Sequence, residues 1–365
     1  YSTKETIANY LKKGYELIEN GFDADGQPNF DRDATNTNED GVQEFIVRLA
    51  PKIVEFSATQ PIQAGQVVPG DSEGRVYPTP LAPAGQTTAD LDHLSETVTR
   101  TVTYVTEDQD GSNRQPAGIA DQTDSLHFTR KGTINLVTGE TSLEDWTAQD
   151  GTSFVALENP VKKGYVVVAE ESTDAITSDL TKAGEHTGIH ADAADITDTV
   201  IYRPVGAYRI SYATGKEPAH AQKEIPYLND PTNPTAILSP TAILSYVEGL
   251  EPKDARGQVL NLVDPLDETK GYLLPSPESP TVDTAISYTI TKGSVRVRFL
   301  TEGGDTDLQE AQDLATEVDF GTKYSSEAPT EITKDGRIYH LVGHRADSAD
   351  PSGTVTKGMK DRKSV

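Results

Sequence analysis

Eight residues, Val98-Thr-Arg-Thr-Val-Thr-Tyr-Val105, alternate between apolar and polar or charged side chains. A period of two sends successive side chains to opposite faces, so this stretch predicts a strand with one face buried and one in water. A turn signal, Asp110-Gly111, comes five residues later. The pattern returns in weaker form at Thr284-Ala-Ile-Ser-Tyr-Thr-Ile290, and again at Val295-Arg-Val-Arg-Phe-Leu300 before Glu302-Gly-Gly-Asp305. Recurrence of one kind of strand opening implies an array of small β-rich modules. The expected fold class is mainly β with minor α, a tandem array of small β-grasp-like modules in an elongated rod. Arrays of that kind more often hold and reach than catalyse.

Composition narrows the classes further. A chain of 365 residues is long enough for two to four domains. It has no cysteine, which removes disulfides, thiol catalysis and cysteine metal sites together. Apolar residues make up 35%, below the globular average, and 22 prolines and 29 glycines spread any core over several small, loop-rich units. The net charge of −26, from 58 acidic and 32 basic residues, argues against nucleic acid, which needs clustered Lys and Arg. It also disfavours anionic membrane surfaces, and no apolar run approaches a membrane span. The opening residues Tyr1-Ser-Thr-Lys-Glu5 are not a signal peptide, and Lys363-Ser-Val365 carries no sorting motif. Both ends look cut, so the chain is read as a fragment of a longer surface protein, with export and anchoring signals outside it.

Along the chain, Ser2-x-x-Glu5 reads as a capping box, with Ile7, Tyr10 and Leu11 as the apolar face of a short helix. Gly14 suits the left-handed position after that helix. Strands are expected at 15–18 and 42–49. From 57 to 95, Pro61, Pro69, Pro78, Pro80 and Pro83 leave few ladder positions, and the segment reads as a Pro-rich linker or loosely packed extension. Strands are expected again at 96–105, 126–130, 133–137, 165–169 and 199–202. Trp146, the only tryptophan, is expected in the core of that unit, the alternative being an exposed platform for a sugar ring. Segment 171–198 reads as a long loop. Strands are also expected at 207–212, 242–247, 286–290, 295–300 and 338–342. The Pro-Thr steps at 231–232, 234–235 and 240–241 suggest a spacer. An acidic stretch from Asp307 to Asp319 looks helical, with Leu308, Leu314 and Val318 as a sparse face.

No catalytic constellation stands out. His186-x-x-x-His190 has the spacing of two ligands on one helix face, but Gly184 and Gly188 argue against a helix there. His340 and His344 share strand parity, with Gly343 suggesting a turn between them. There is no G-x-S-x-G elbow and no phosphate-binding glycine loop. The one cluster with ligand chemistry is Asp23, Asp25, Asn29, Asp31 and Asp33, with Gly26 to turn the backbone. Calcium takes six to eight oxygens from such loops. The alternative is a solvated acidic hairpin loop, because the spacing is not that of an EF-hand. No cofactor is required, and calcium is the candidate ion.

Val98 to Val105, then Phe128-Thr-Arg-Lys-Gly-Thr-Ile-Asn-Leu-Val-Thr-Gly139, Trp146-Thr and Gly164-Tyr165, resemble the second half of a mucus-binding protein repeat. Such repeats occur in cell-wall-anchored adhesins of lactobacilli and related Gram-positive bacteria. Tyr1-Ser-Thr-Lys-Glu-Thr-Ile7, Lys13-Gly-Tyr-Glu-Leu-Ile18 and the strand from Gln43 to Leu49 resemble the end of a repeat's first half. Ile225-Pro-Tyr-Leu-Asn-Asp-Pro-Thr-Asn-Pro-Thr235 and Lys270-Gly-Tyr272 resemble a Pro-rich module of the same adhesins, and 294–365 resembles a diverged mucin-binding domain. The organisation this implies is a truncated first half at 1–56, a linker at 57–95, the second half at 96–205, a Pro-rich mucin-binding or spacer module at 206–293, and a last module at 294–365. The resemblance implies an extracellular, wall-anchored adhesin, not an enzyme, binding mucin glycans or host glycoproteins and possessing relatives associated with immunoglobulin. The other readings are a non-binding stalk and, remotely, a secreted polysaccharide-active enzyme. An acidic module meets acidic glycans with long-range repulsion, so affinity is expected from short-range hydroxyl hydrogen bonds and stacking on tyrosine.

Overall fold

A strand of alternating Val and Thr is stable only when its apolar face finds a partner. In the computed structural model, that requirement organises much of the chain. The structure describes residues 3–21, 45–173, 179–304, 306–344 and 348–356. Among these the fold is mainly β with minor α: many short antiparallel pairs, one helix, Lys4–Lys12, and two single-turn 3₁₀ segments. The chain divides into two compact units. One comprises Tyr1–Val105, Gly118–Asn159 and Ala169–Val200, and the other Thr106–Ala117, Pro160–Val168 and Ile201–Val365.

In the first unit, Thr3 stands at the N-cap of the helix without a side-chain capping bond, so the expected start at Ser2 is corrected by one residue. Gly14 takes the left-handed conformation after the helix, φ +96°, and a Cβ there would sit 2.5 Å from the Leu136 carbonyl oxygen. Only glycine satisfies both conditions at low cost. Tyr15–Asn20 then pairs antiparallel with Val47–Pro51. Ile53–Phe56, Gly132–Asn135 and Thr141–Leu143 form a three-stranded sheet.

The segment 57–95, expected as a linker, packs on that sheet. Ile62, Val68, Tyr77, Leu91 and Leu94 are buried with Phe56, Ile134 and Leu136 in one core. Its prolines do not prevent this, because the main-chain bonds use other donors: Val68 N to Arg75 O at 2.9 Å, Tyr77 N to Gln66 O at 2.9 Å, and Leu81 N to Gly139 O at 2.8 Å. Spaced apolar residues outweigh proline content here.

Ser95–Thr106 pairs antiparallel with Gln122–Thr129 over eight residue pairs. Val98, Val102 and Tyr104 point inward, as the alternation requires. Val98 joins Leu126, Phe128, Phe154, Ile189 and Ala191 in a second core. Phe154 and Ile189 show that the stretch expected as a long loop, 171–198, is partly folded. Lys182–Ala183 and His186–Thr187 are short strands, paired with Leu157–Glu158 and Ser153–Phe154. Its buried residues among those described, Ala183, Gly184, His186, Ile189, Ala191 and Asp198, are too scattered to show a period.

The second unit contains a four-stranded sheet in the order Glu224–Pro226, Ala207–Tyr212, Thr284–Ile290, Leu250–Lys253. Its middle pair is parallel and the outer pairs are antiparallel. Tyr208, Tyr227, Tyr272 and Tyr288 are buried beneath it with Ile210, Leu244, Leu250, Leu260 and Ile286. The Pro-Thr steps at 231–235 form Asx-type turns: Thr232 N donates to Asp230 Oδ1 at 2.7 Å, and Thr235 N to Asn233 Oδ1 at 2.9 Å. Farther on, Lys292–Val297 pairs with Gln312–Asp319. The stretch expected as helix is therefore largely strand. Irregular register and a positive φ of 48° at Glu317 explain the error, since they break strict alternation and leave the half-buried residues at 314, 315 and 318, a helix-like spacing. Val295, Tyr324 and Val355 form the small core there.

Candidate functional site

The sequence-predicted candidates fall in three places. Asp23, Asp25, Asn29, Asp31 and Asp33 lie outside the described residues. Among the described residues, no group of three or more His, Asp or Glu is arranged to hold a metal. His340 lies on an exposed strand and pairs with Glu331 at 3.2 Å, while His344 stands 3.9 Å from Asp350. His190 is exposed, but His186 is buried.

His186 belongs to a buried polar network inside the first unit that sequence reasoning missed. Its Nε2 lies 3.0 and 3.2 Å from the Asp198 carboxylate oxygens. Ser172 Oγ donates to the same carboxylate and stands 3.5 Å from the same ring nitrogen. A nucleophile triad places serine on one ring nitrogen and the acid on the other. Here both crowd Nε2, and the serine is too far for a good bond, so this geometry does not relay a proton from serine. Nearby, fully buried Arg100 donates to Gly184 O at 3.0 Å, Val155 O at 2.8 Å and Asp124 at 2.5 Å. Its guanidinium lies 5.2 Å from the Phe154 ring centroid. These bonds tie irregular segments to the Ser95–Thr106 sheet.

Trp146 is half-buried against the Val98 core. The Arg130 guanidinium sits 4.4 Å from its ring centroid, and His93 meets it edge-on at 6.2 Å. A face covered by guanidinium is a poor platform for a sugar, so packing is the better account of this residue.

The second unit carries a groove of about 770 Å³. Its floor is the outer face of the parallel strand pair, with Ser211, Ser287 and Thr289, and its wall is the turn at Asp319 and Phe320. Ser211 Oγ and Ser287 Oγ are 3.0 Å apart. Tyr212, half-buried, stacks on buried Tyr288 at 4.8 Å with the planes 10° apart. Burial raises the Tyr212 hydroxyl pKa above its ordinary value, so it is neutral at pH 7, where it donates to Gln222 O at 3.3 Å. Glu251, Glu317 and Asp319 supply acidity, while Lys253, 3.1 Å from Glu251, and exposed Lys292 offset most of it. Hydroxyls, a few balanced charges and aromatic edges suit a ligand rich in hydroxyl groups. The participants lie far apart in the chain, and no local spacing connects Tyr212 with Ser287 or Phe320; only the parallel strand pairing does so.

Residues 89–206 match the family model described as Muc B2-like domain, and residues 1–50 match that described as Mucin binding domain. No curated protein matches the chain. Among solved structures, Mub-RV is 22% identical, with 56% of this chain and 82% of that chain covered at a TM-score of 0.33. The type 2 repeat of the mucus binding protein MUB from Lactobacillus reuteri is 25% identical, with 56% and 83% covered and a TM-score of 0.28. The MucBP domain of an adhesion protein from Pediococcus pentosaceus is 26% identical, with 30% and 97% covered and a TM-score of 0.21. In the stretches 1–50 and 89–206, this chain is thus similar to mucin-binding repeat domains.

Proposed function

We propose that this chain is a segment of an extracellular adhesin that holds mucin glycans by several weak contacts, one of them in the groove over Ser211 and Ser287. The observation that carries the reading is the pair of family matches; the hydroxyl-lined, nearly charge-balanced groove supports placing a contact there. A single hydroxyl contact contributes about 1 kcal/mol net. Retention on mucus therefore depends on linked sites, which raise avidity without new contacts. The net charge of −26 repels sialylated or sulfated chains at long range, so the groove takes the neutral, hydroxyl-rich part of the glycan.

Surface plasmon resonance on immobilised mucin tests this. Ser287→Arg fills the floor of the groove from an exposed position and is expected to weaken groove binding by roughly tenfold, or about 1.4 kcal/mol. Unchanged binding by a folded Ser287→Arg protein moves the contact elsewhere. No mucin binding by the native chain rejects the adhesive reading itself. Added salt at pH 7 is expected to leave binding unchanged or raise it, because screening weakens repulsion; a steep loss would mean a basic contact surface. The carboxylate cluster Asp23, Asp25, Asn29, Asp31 and Asp33 is read as a calcium ligand set of low affinity. Millimolar calcium then raises the melting temperature, and Asp25→Asn with Asp31→Asn abolishes the rise. A melting curve indifferent to calcium rejects that set.

A further inference from the structure

The stretch 206–291 enters and leaves its sheet on two neighbouring parallel strands. The chain comes in at Ala207 and runs to Tyr212, folds through the turns and the tyrosine core, and leaves along Thr284–Ile290. Tyr208 faces Thr284, and the register holds without slip to Tyr212 facing Tyr288. Tension along the chain draws the first strand toward its N-terminal end and the second toward its C-terminal end. Because the two are parallel, those pulls are opposed along one axis. The main-chain bonds lie across that axis and are loaded together in shear. In an antiparallel hairpin the same tension would act at one end and open the bonds one by one.

Side chains reinforce the same seam. Arg209 Nε donates to Asp283 Oδ2 at 2.7 Å, and the other Asp283 oxygen accepts from Ala207 N at 2.8 Å. Burial pushes the Asp283 carboxyl pKa up, but the Arg209 hydrogen bond, the Ala207 amide and the Arg209 charge bring it below the ordinary carboxylate range. At the far end, Ser211 meets Ser287, Tyr212 stacks on Tyr288, and Ala213 N donates to Tyr288 O at 2.9 Å. Both strands are interior to the sheet, with Glu224–Pro226 and Leu250–Lys253 on the outside, so neither can peel from an edge.

We propose that the paired strands Ala207–Tyr212 and Thr284–Ile290 are a force-bearing clamp, a mechanical function of this module separate from glycan binding. While the clamp holds, residues 213–283 carry no tension, and the groove built on the same two strands keeps its shape. When it slips, those roughly 70 residues pay out at about 3.5 Å each, about 250 Å in one step.

The absence of cysteine lets two introduced thiols define the points of pull on the full-length chain. Pro204→Cys with Lys292→Cys loads the seam in shear. Pro204→Cys with Val282→Cys pulls on adjacent strand ends, since Gly206 N donates to Pro280 O at 2.9 Å, and opens the same seam bond by bond. Single-molecule force spectroscopy is expected to show a several-fold higher rupture force for the first pair, with the full length released in one event. Equal forces for the two pairs, or release in small steps at low force under shear, would overturn the proposal. Mucin binding is measured on the native chain, because Lys292 lines the groove, and its result is independent of either outcome. Melting curves of both double variants verify that each folds, so a difference in force reports direction of pull and not damage.

Discussion

The two units solve one problem by different chemistry. Each must hold long irregular segments against a small sheet. The first unit uses charge: Arg100, His186 and Asp198 are buried, and Arg100 reaches main-chain carbonyls on two separate segments. The second has one buried ion cluster, Glu107 with Arg114 and Arg203, but beneath its four-stranded sheet it uses tyrosine: the Tyr208 hydroxyl donates to Pro275 O at 2.7 Å, that of Tyr227 to Val282 O at 3.0 Å, and that of Tyr288 to Ser245 O at 2.6 Å. A tyrosine brings its own apolar area and needs one partner for its hydroxyl. A buried guanidinium leans on its partners, because desolvating a charge costs several kcal/mol; Arg100 pairs through both Nη atoms, while its Nε is buried without a hydrogen bond among the described residues. The charged solution is thus more fragile to a single change, and the tyrosine solution degrades gradually.

The largest expected effect breaks the charged network. Arg100→Met leaves Asp124 and two carbonyls without their donor and is expected to cost about 3 kcal/mol. Hydrogen exchange followed by mass spectrometry on the whole chain reads the two units separately, and the first should lose protection. A cost below about 1 kcal/mol would mean that water replaces the guanidinium cheaply. The matching change in the second unit, Tyr288→Phe, removes only a hydroxyl and is expected to cost about 1 kcal/mol by chemical denaturation. Equal losses from the two variants would erase the contrast.

A smaller effect separates the units at alkaline pH. Burial pushes the Tyr208 hydroxyl up to about 12, with a further push from Tyr227. Burial also raises Tyr212, Tyr227, Tyr272 and Tyr288, whereas in the first unit Tyr77 and Tyr104 are raised. A raised folded pKa means that the folded state keeps its proton while the unfolded chain gives it up. The associated stability is complete below pH 10 and declines as pH climbs through the folded value. Protection in the second unit should therefore fall more between pH 10 and 12, and Tyr208→Phe should flatten that fall. A first unit that opens sooner would contradict the assignment.

The acid side has the opposite sign and the smallest effect. Burial pushes the Asp71 carboxyl up, but hydrogen bonds from the Arg75 amide and guanidinium, with the Arg75 charge, hold it below the ordinary carboxylate range. Its contribution is present above about pH 4 and is lost as pH falls through the lower folded value. Asp71→Asn should make acid unfolding of the first unit less steep, visible by circular dichroism; an unaltered slope would place the acid-sensitive group elsewhere.

Alternation at Val98–Val105, the turn glycine Gly14, the absence of cysteine and the acidic charge were determined by the sequence alone. Each acts through neighbours in the chain: a two-residue period sets strand faces, and a missing Cβ permits a positive φ. The repeat resemblance was legible for the same reason, since it rests on short runs such as Phe128 to Gly139. Tertiary structure alone decided what depends on distant partners. The segment 57–95 entered a core because Phe56 and Ile134 offered it an apolar surface, which no count of prolines reveals. Gln312–Asp319 became a strand because Lys292–Val297 lay ready to pair with it. His186 met Asp198, and Ser211 met Ser287, through contacts closed by folding. Long-range pairing repays loop-closure entropy only when a whole sheet assembles, so it leaves little trace in local pattern.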